Sequence, residues 1–191
     1  MNNHIDTAFV RFSVFSLLLK ADQRGLLSSE FLPPDTPCQE GGANNPRLRA
    51  AIEQLEKWRS NPAFRFTLPL QPAGTDFQKR VWERLEAIPA GETRTYGELA
   101  KKLVSSPRAI GQACAANPLP VFIPCHRVVA ARSMGGFAHQ QPLKDGDMGD
   151  SRQIFLLHAK HYLLEREADA HGRETTIRTA NTLPTTQKNN S

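Results

Sequence analysis

Apolar positions along this 191-residue chain come in short blocks whose spacing changes from one block to the next. Between residues 8 and 19, Phe9, Phe12, Val14 and Phe15 lead into a run of leucines, which predicts one extended segment. Leu26 to Leu32 predicts a second strand, and Pro33 to Asn45 is rich in Pro, Gly, Asn and Asp, as loops are. Leu48, Ile52, Leu55 and Trp58 then recur at spacings of four, three and three, one apolar stripe of a helix. That helix opens with Asn45 as cap and Pro46 in the first helical position, and Asn61-Pro62 closes it.

A second series of helices follows. Thr75-Asp76-Phe77-Gln78 has the spacing of a capping box, with Phe77, Val81, Trp82, Leu85 and Ile88 on one face and Pro89-Ala90-Gly91 as the stop. Thr95-Tyr96-Gly97-Glu98 repeats the pattern and starts a helix predicted to reach about Val104. After Ser105-Ser106, Pro107 begins another helix that ends before Asn117-Pro118. Two short helices across a tight turn form a helix-turn-helix pattern. In the second, Ala109, Gly111, Ala113, Ala115 and Ala116 are all small, which suits either close approach to another surface or tight packing on a neighbouring helix. Residues 138–153 are polar and predict an exposed loop, and residues 154–167 regain helical spacing through Phe155, Ala159, Tyr162 and Leu163.

The expected architecture is α+β. A small mixed α/β N-terminal domain (1–72) precedes a helical, winged-helix-like catalytic domain (73–167, with an insertion at about 138–153), and the apolar-poor tail (168–191) is expected to be disordered. Composition is that of a globular protein, 39% hydrophobic and 23% charged. No apolar run approaches the roughly 20 residues of a membrane helix, and Phe9 to Leu19 lacks the basic start and cleavage site of a signal peptide. Three cysteines without paired spacing argue against a disulfide framework and for a reducing, cytoplasmic setting.

Charge sharpens the helix-turn-helix pattern. The net charge is +5, yet residues 1–74 hold 8 basic against 7 acidic groups. Between Arg94 and Arg132, by contrast, Lys101, Lys102, Arg108 and Arg127 join the two end residues against Glu98 alone, a local charge of +5 over 39 residues. Such a patch is the footprint expected for a polyanion, although a solvated basic face is the plainer reading of charge alone.

The sharpest chemical feature is Cys125-His126-Arg127 after Val121-Phe122-Ile123-Pro124. A thiol attacks as thiolate, so it needs a base or a positive neighbourhood, and His126 and Arg127 offer both. Neighbouring side chains of an extended segment face opposite ways, so pairing Cys125 with His126 requires a bent backbone or a bridging water. The commoner role for a cysteine after an apolar run is buried and inert. The three cysteines have no metal-ligand spacing, and no phosphate-binding glycine loop is present.

As an ordered set these residues resemble the catalytic domain of the O6-alkylguanine-DNA alkyltransferases, the methylated-DNA–protein-cysteine methyltransferases. The matching pieces, between Gly74 and Phe137, are Gly74-Thr75-Asp76-Phe77-Gln78, Val81-Trp82, Ile88-Pro89-Ala90-Gly91, Thr95-Tyr96, Arg108-Ala109-Ile110-Gly111, Asn117-Pro118, Pro124-Cys125-His126-Arg127-Val128 and Gly135-Gly136-Phe137. The resemblance implies a single-turnover DNA repair enzyme that flips the damaged base out of the duplex and moves its alkyl group from guanine O6 onto Cys125, with thymine O4 left open. His126 would deprotonate the thiol through a water, oriented by Glu167, with Glu165 as the competing carboxylate. Tyr96 would contact the flipped base and donate a proton, and Asn117 would brace the turn. The second helix would enter the minor groove with Arg108 filling the vacated stack, and Thr95, Tyr96, Ala109, Gly111, Gln112 and Arg127 would also contact DNA. Val128, Phe137 and Ala138 would line the base pocket. No cofactor and no metal are implied, and the partner is double-stranded DNA containing O6-alkylguanine, met by a monomer away from membranes.

The chain departs from the family pattern in a shorter stretch between Tyr96 and Arg108, a phenylalanine at 137 where many members have tyrosine, and a longer stretch from Phe137 to Glu167. An alternative is the alkyltransferase-like group, which binds lesions without transfer; there the cysteine is replaced, so Cys125 argues against it. A regulator sensing its own alkylation would need a zinc-binding cysteine cluster, which this sequence does not contain.

Overall fold

A computed structural model describes residues 4–37, 44–137 and 150–169 of the chain. The expected single strand over 8–19 is instead a hairpin: β1 (Asp6–Arg11) and β2 (Ser16–Ala21) pair antiparallel, with Asp6 opposite Ala21 and Arg11 opposite Ser16. The turn is made by Phe12 to Phe15, closed by the Phe12 amide donating to the Phe15 carbonyl at 2.8 Å. Both rings of the turn are buried and stack at 4.7 Å, so the apolar run that suggested one long strand packs the bend instead. β3 (Leu26–Leu32) adds to β2, completing a three-stranded antiparallel sheet in the order β1-β2-β3.

α1 (Pro46–Ser60) lies against this sheet with Leu48, Ala51, Leu55 and Trp58 inward. Its start is as expected, with the Asn45 side chain accepting from the amides of Arg47 and Leu48. α2 (Asp76–Glu86) and α3 (Tyr96–Lys102) both open with reciprocal capping boxes, Thr75 with Gln78 and Thr95 with Glu98. α4 (Pro107–Ala115) is capped by Ser106 and packs on α2 and α3. The indole N–H of Trp82 on α2 donates to the Ala113 carbonyl of α4 at 2.8 Å, which fixes α4 to the helix behind it.

A tight 3-10 turn (Cys125–Arg127) leads into β5 (Val128–Val129), which pairs parallel with β4 (Arg94–Thr95). α5 (Ser151–Asp169) starts three residues before the expected helix, because the Asp150 carboxylate accepts from the Gln153 amide and caps it there. It also runs past the expected start of the tail, with Ala168 buried. The rest of the expected insertion and tail lies outside the described residues.

One apolar core runs from the sheet through the helices. Phe15 meets Tyr162 of α5 at 5.7 Å, Phe31 meets Phe137 at 5.3 Å, and Phe66 meets Phe122 at 4.8 Å. The β3 residue Ser29 donates from its amide to the Pro118 carbonyl at 2.9 Å and from its hydroxyl to the Pro120 carbonyl at 2.7 Å. The segment leading to Cys125 is thus bonded directly to the N-terminal sheet.

Among the described residues, two non-glycine positions have left-handed backbones, Val104 (φ 50°) and Val121 (φ 77°). For a β-branched residue this is costly, about 1–2 kcal/mol. Val121 is 2% exposed and repays the strain by core packing, whereas Val104, in the turn between α3 and α4, is 95% exposed.

Candidate active site

The end of α4 positions Cys125, the candidate nucleophile. Asn117 follows the helix, its amide donating to the Cys114 carbonyl at 3.3 Å. Its side-chain oxygen accepts from the Leu119 amide at 2.9 Å, and its Nδ2 donates to the Ile123 carbonyl at 2.8 Å and to Cys125 Sγ at 3.2 Å. One carboxamide therefore ties the helix-turn-helix to the thiol. The backbone at Cys125-His126 is bent into a 3-10 turn, which removes the opposition of neighbouring side chains that an extended segment would impose. Burial pushes the Cys125 thiol up, while the Asn117 hydrogen bond and the Lys160 charge pull it down. At neutral pH the resting group is thus a thiol, whose proton a base must take during attack.

The neighbouring imidazole is the candidate base. His126 is buried, and its Nε2 lies 2.9 Å from Glu167 Oε1. Burial lowers the imidazole pKa against the upward pull of Glu167, so the ring is neutral at pH 7. A neutral ring facing a carboxylate carries its proton on Nε2. Nδ1 then presents an unshared lone pair, and it is a buried atom with no hydrogen-bond partner. Burial would raise the Glu167 carboxyl, but His126 and Arg127 outweigh it and hold it at about 2. The competing Glu165 is on the exposed side of α5, paired with His161 at 3.0 Å.

Arg127 departs from expectation. It is 9% exposed and faces inward, with Nε at 2.9 Å from Glu167 Oε2, one terminal nitrogen at 2.8 Å from Oε1 and the other at 2.5 Å from the Ile88 carbonyl. Its guanidinium is turned toward Glu167 and the Ile88 carbonyl, and these contacts take three of its five N–H donors.

Opposite the thiol, Tyr96 begins α3, and its hydroxyl donates to the Gly136 carbonyl at 3.4 Å. Burial pushes the phenol upward and the two nearby thiols, Cys114 and Cys125, add to it, so it is a protonated donor at neutral pH. Gly135 has a φ of 71°, and a Cβ there would come within 3.0 Å of the Tyr96 ring. A side chain at 135 would both strain the backbone and push the phenol aside.

Sequence reasoning missed Lys160. This α5 residue is fully buried, and its ammonium donates to three carbonyls, Val128 at 2.7 Å, Met134 at 2.5 Å and Gly136 at 3.1 Å. It gathers the strand after the nucleophile and the Gly135-Gly136 loop around one charge, with the Phe137 ring 5.9 Å away. Burial lowers its pKa to about 8, partly offset by the thiols. A signal was available: Lys160 interrupts the apolar stripe Leu156, Ala159, Leu163, Leu164 of α5, where a charge needs a purpose. Lys160→Met should lower single-turnover transfer at least about tenfold, because small misplacements of reacting groups carry costs of that order. An unchanged rate would reduce Lys160 to a core filler.

The remaining expected residues divide by exposure. Arg108 and Gln112 on α4 are exposed and Ala109 and Gly111 half-exposed, while Ile110, Ala113 and Cys114 face the core. The small residues of α4 thus serve both surfaces. Thr95 is occupied as the α3 cap. Val128 is buried, Phe137 is buried with its ring on Phe31, and Ala138 lies outside the described residues. Among the described residues there is no cluster of three metal-ligating side chains, and no helix is long and apolar enough to cross a membrane.

The site is thus a buried thiol hydrogen-bonded to the end of a helix-turn-helix, with a carboxylate-bonded histidine next to it in sequence, the arrangement of a candidate cysteine-dependent enzyme. Residues 76–169 match the family described as 6-O-methylguanine DNA methyltransferase, DNA binding domain. A methylated-DNA–protein-cysteine methyltransferase from Methanosarcina mazei is 36% identical over 142 residues, 71% of this chain and 90% of the relative. The Bacillus subtilis constitutive enzyme of that name is 45% identical over 97 residues, 49% of this chain and 58% of the relative. Among solved structures, the Mycobacterium tuberculosis O6-methylguanine methyltransferase aligns with a TM-score of 0.67 at 27% identity, covering 92% of this chain and 98% of that one. The same organism's OGT in complex with DNA aligns at 0.67 and 28%, covering 86% and 93%. The chain belongs to the methylated-DNA–protein-cysteine methyltransferase family.

Proposed function

We propose that this chain repairs duplex DNA by moving the alkyl group of O6-alkylguanine onto Cys125, once per molecule. The observation that carries the assignment of residues is the continuous set of contacts from Asn117 through Cys125 Sγ, and from His126 through Glu167 to Arg127. In the step itself, sulfur forms a bond to the alkyl carbon as the carbon–O6 bond breaks and its electron pair moves onto guanine. His126 Nδ1 takes the thiol proton through one water, and Glu167 stabilises the imidazolium that results. The Tyr96 phenol supplies a proton to the departing base, which leaves as neutral guanine. The product is a thioether with no leaving path, so turnover stops at one equivalent.

Because the thiol is buried, the guanine must leave the stack to reach it. Arg108, exposed near the start of α4, is the side chain this reading sends into the vacated space, where a planar guanidinium stacks well. Arg108→Ala should therefore lower repair of a duplex lesion at least about tenfold more than reaction with the free alkylated base, given an unstacking cost of a few kcal/mol. Equal losses on both substrates would contradict this role.

The assignment is tested by peptide mass after incubation with a duplex carrying O6-methylguanine. One added methyl group on the peptide containing Cys125, saturating at one equivalent, is the expected result; DNA binding with no mass change would overturn transfer.

A further inference from the structure

α3 ends in a closure that normally calls for glycine. Leu103 caps the helix, the Ser105 amide reaches back to the Ala100 carbonyl at 2.9 Å and the Val104 amide to the Lys101 carbonyl at 3.4 Å. This double bond pattern forces the residue between into the left-handed region, where glycine sits at no steric cost. Here it is Val104 at φ 50°, and with 95% of its surface exposed its side chain gains almost no packing in return for the strain that glycine would avoid. The comparison with Val121 is direct, since the same backbone strain there comes with complete burial. Glycine would make the same closure without strain, so a β-branched side chain held out at this position points to a contact outside the chain.

The surroundings say what that contact is. Lys101, Lys102 and Arg108 are all exposed on either side of the turn, and no acidic residue occurs from Lys101 to Ala115. A single isopropyl group ringed by cations is too small an apolar surface to dock a protein, and the charge selects a polyanion. Elements that bind the minor groove commonly set an apolar side chain against sugars or base steps between phosphate contacts.

We propose that Val104 is a DNA-contacting residue: it rests its side chain on the sugar edge of the duplex beside the lesion, with Lys101 and Lys102 on the flanking phosphates. It thereby sets how deeply α4 enters the groove. This rests on the reading of α3 and α4 as the DNA-docking element. The left-handed turn aims the side chain away from the helices, and the left-handed conformation is retained because no right-handed residue there would close α3 in the same way.

The test uses the full chain with Val104→Gly and Val104→Asn, both of which adopt the left-handed conformation readily, and Arg108→Ala as reference. Both Val104 variants should melt about 2–4 °C higher, as relief of strain of this kind predicts for a chain of this size. Both should nevertheless repair a duplex lesion at least threefold more slowly relative to their reaction with the free alkylated base. If both repair the duplex at the parent rate, or lose free-base reaction in equal measure, Val104 makes no DNA contact. If Val104→Gly slows and Val104→Asn does not, the effect is turn flexibility and the proposal again fails. If Arg108→Ala also leaves duplex repair intact, the docking element itself has been misassigned, which is a different failure.

Discussion

Cys125→Ser is expected to lower alkyl transfer by about four orders of magnitude or more, the scale on which loss of a nucleophile is felt in other covalent enzymes. A hydroxyl gives up its proton far less readily than a thiol, and the resulting alkoxide is a poorer match for a soft alkyl carbon. The substitution is close to isosteric, and Asn117 Nδ2, 3.2 Å from the sulfur, would keep an acceptor in the hydroxyl oxygen. Affinity for a duplex carrying the lesion should therefore survive within about threefold, so the variant becomes a lesion binder rather than an unfolded protein. The measurement is intact mass and gel-shift affinity on one preparation. Transfer persisting on another residue, with Cys114 the obvious suspect as the other buried thiol among the described residues, would remove Cys125 from its place.

Glu167→Gln is expected to cost both stability and rate. The carboxylate is fully buried and accepts from Arg127 at two nitrogens and from His126. Removing one partner of a buried charge cluster leaves the other uncompensated, a loss of about 3–5 kcal/mol. The rate should fall as well, by about two orders of magnitude, because a glutamine neither holds the His126 tautomer nor stabilises the imidazolium. Glu165→Gln, on the exposed face, should change transfer less than about twofold, in keeping with the small worth of surface pairs. A Glu167→Gln protein that transfers at the parent rate would end the case for this carboxylate. The same group gives a pH dependence whose sign is fixed. Its folded pKa, about 2, is depressed below the ordinary carboxylate range, so its contribution is complete above the unfolded value and is lost as pH falls through that range toward 2. Acid melts of the parent should show a loss of stability there that Glu167→Gln lacks.

Much of this site was legible in the sequence because its elements are local. Capping boxes at Thr75 and Thr95, proline at 46 and 107, and the stop at Asn117-Pro118 each act within a few residues, and the structure follows them. The hairpin turn at Phe12–Phe15 was hidden because its aromatic residues are recruited to the core, so the bend carries no polar signature. In the sequence Arg127 looks like a phosphate contact because it lies in a basic patch, whereas the structure turns it toward Glu167, 40 positions away on α5. Lys160 and Gly135 act through carbonyls and a ring from other segments, and nothing in their own neighbourhood of sequence states those contacts.

Ser29 gives the two halves of the molecule a shared fate. Its bonds to the Pro118 and Pro120 carbonyls mean that the edge of a sheet with no reactive group of its own holds down the stretch feeding the nucleophile. Loosening that stretch means giving up both bonds to the N-terminal sheet, so opening around Cys125 is tied to the stability of that sheet. A weakened sheet is then expected to loosen the approach to Cys125 as well, which makes the N-terminal half a damper on local opening at the site.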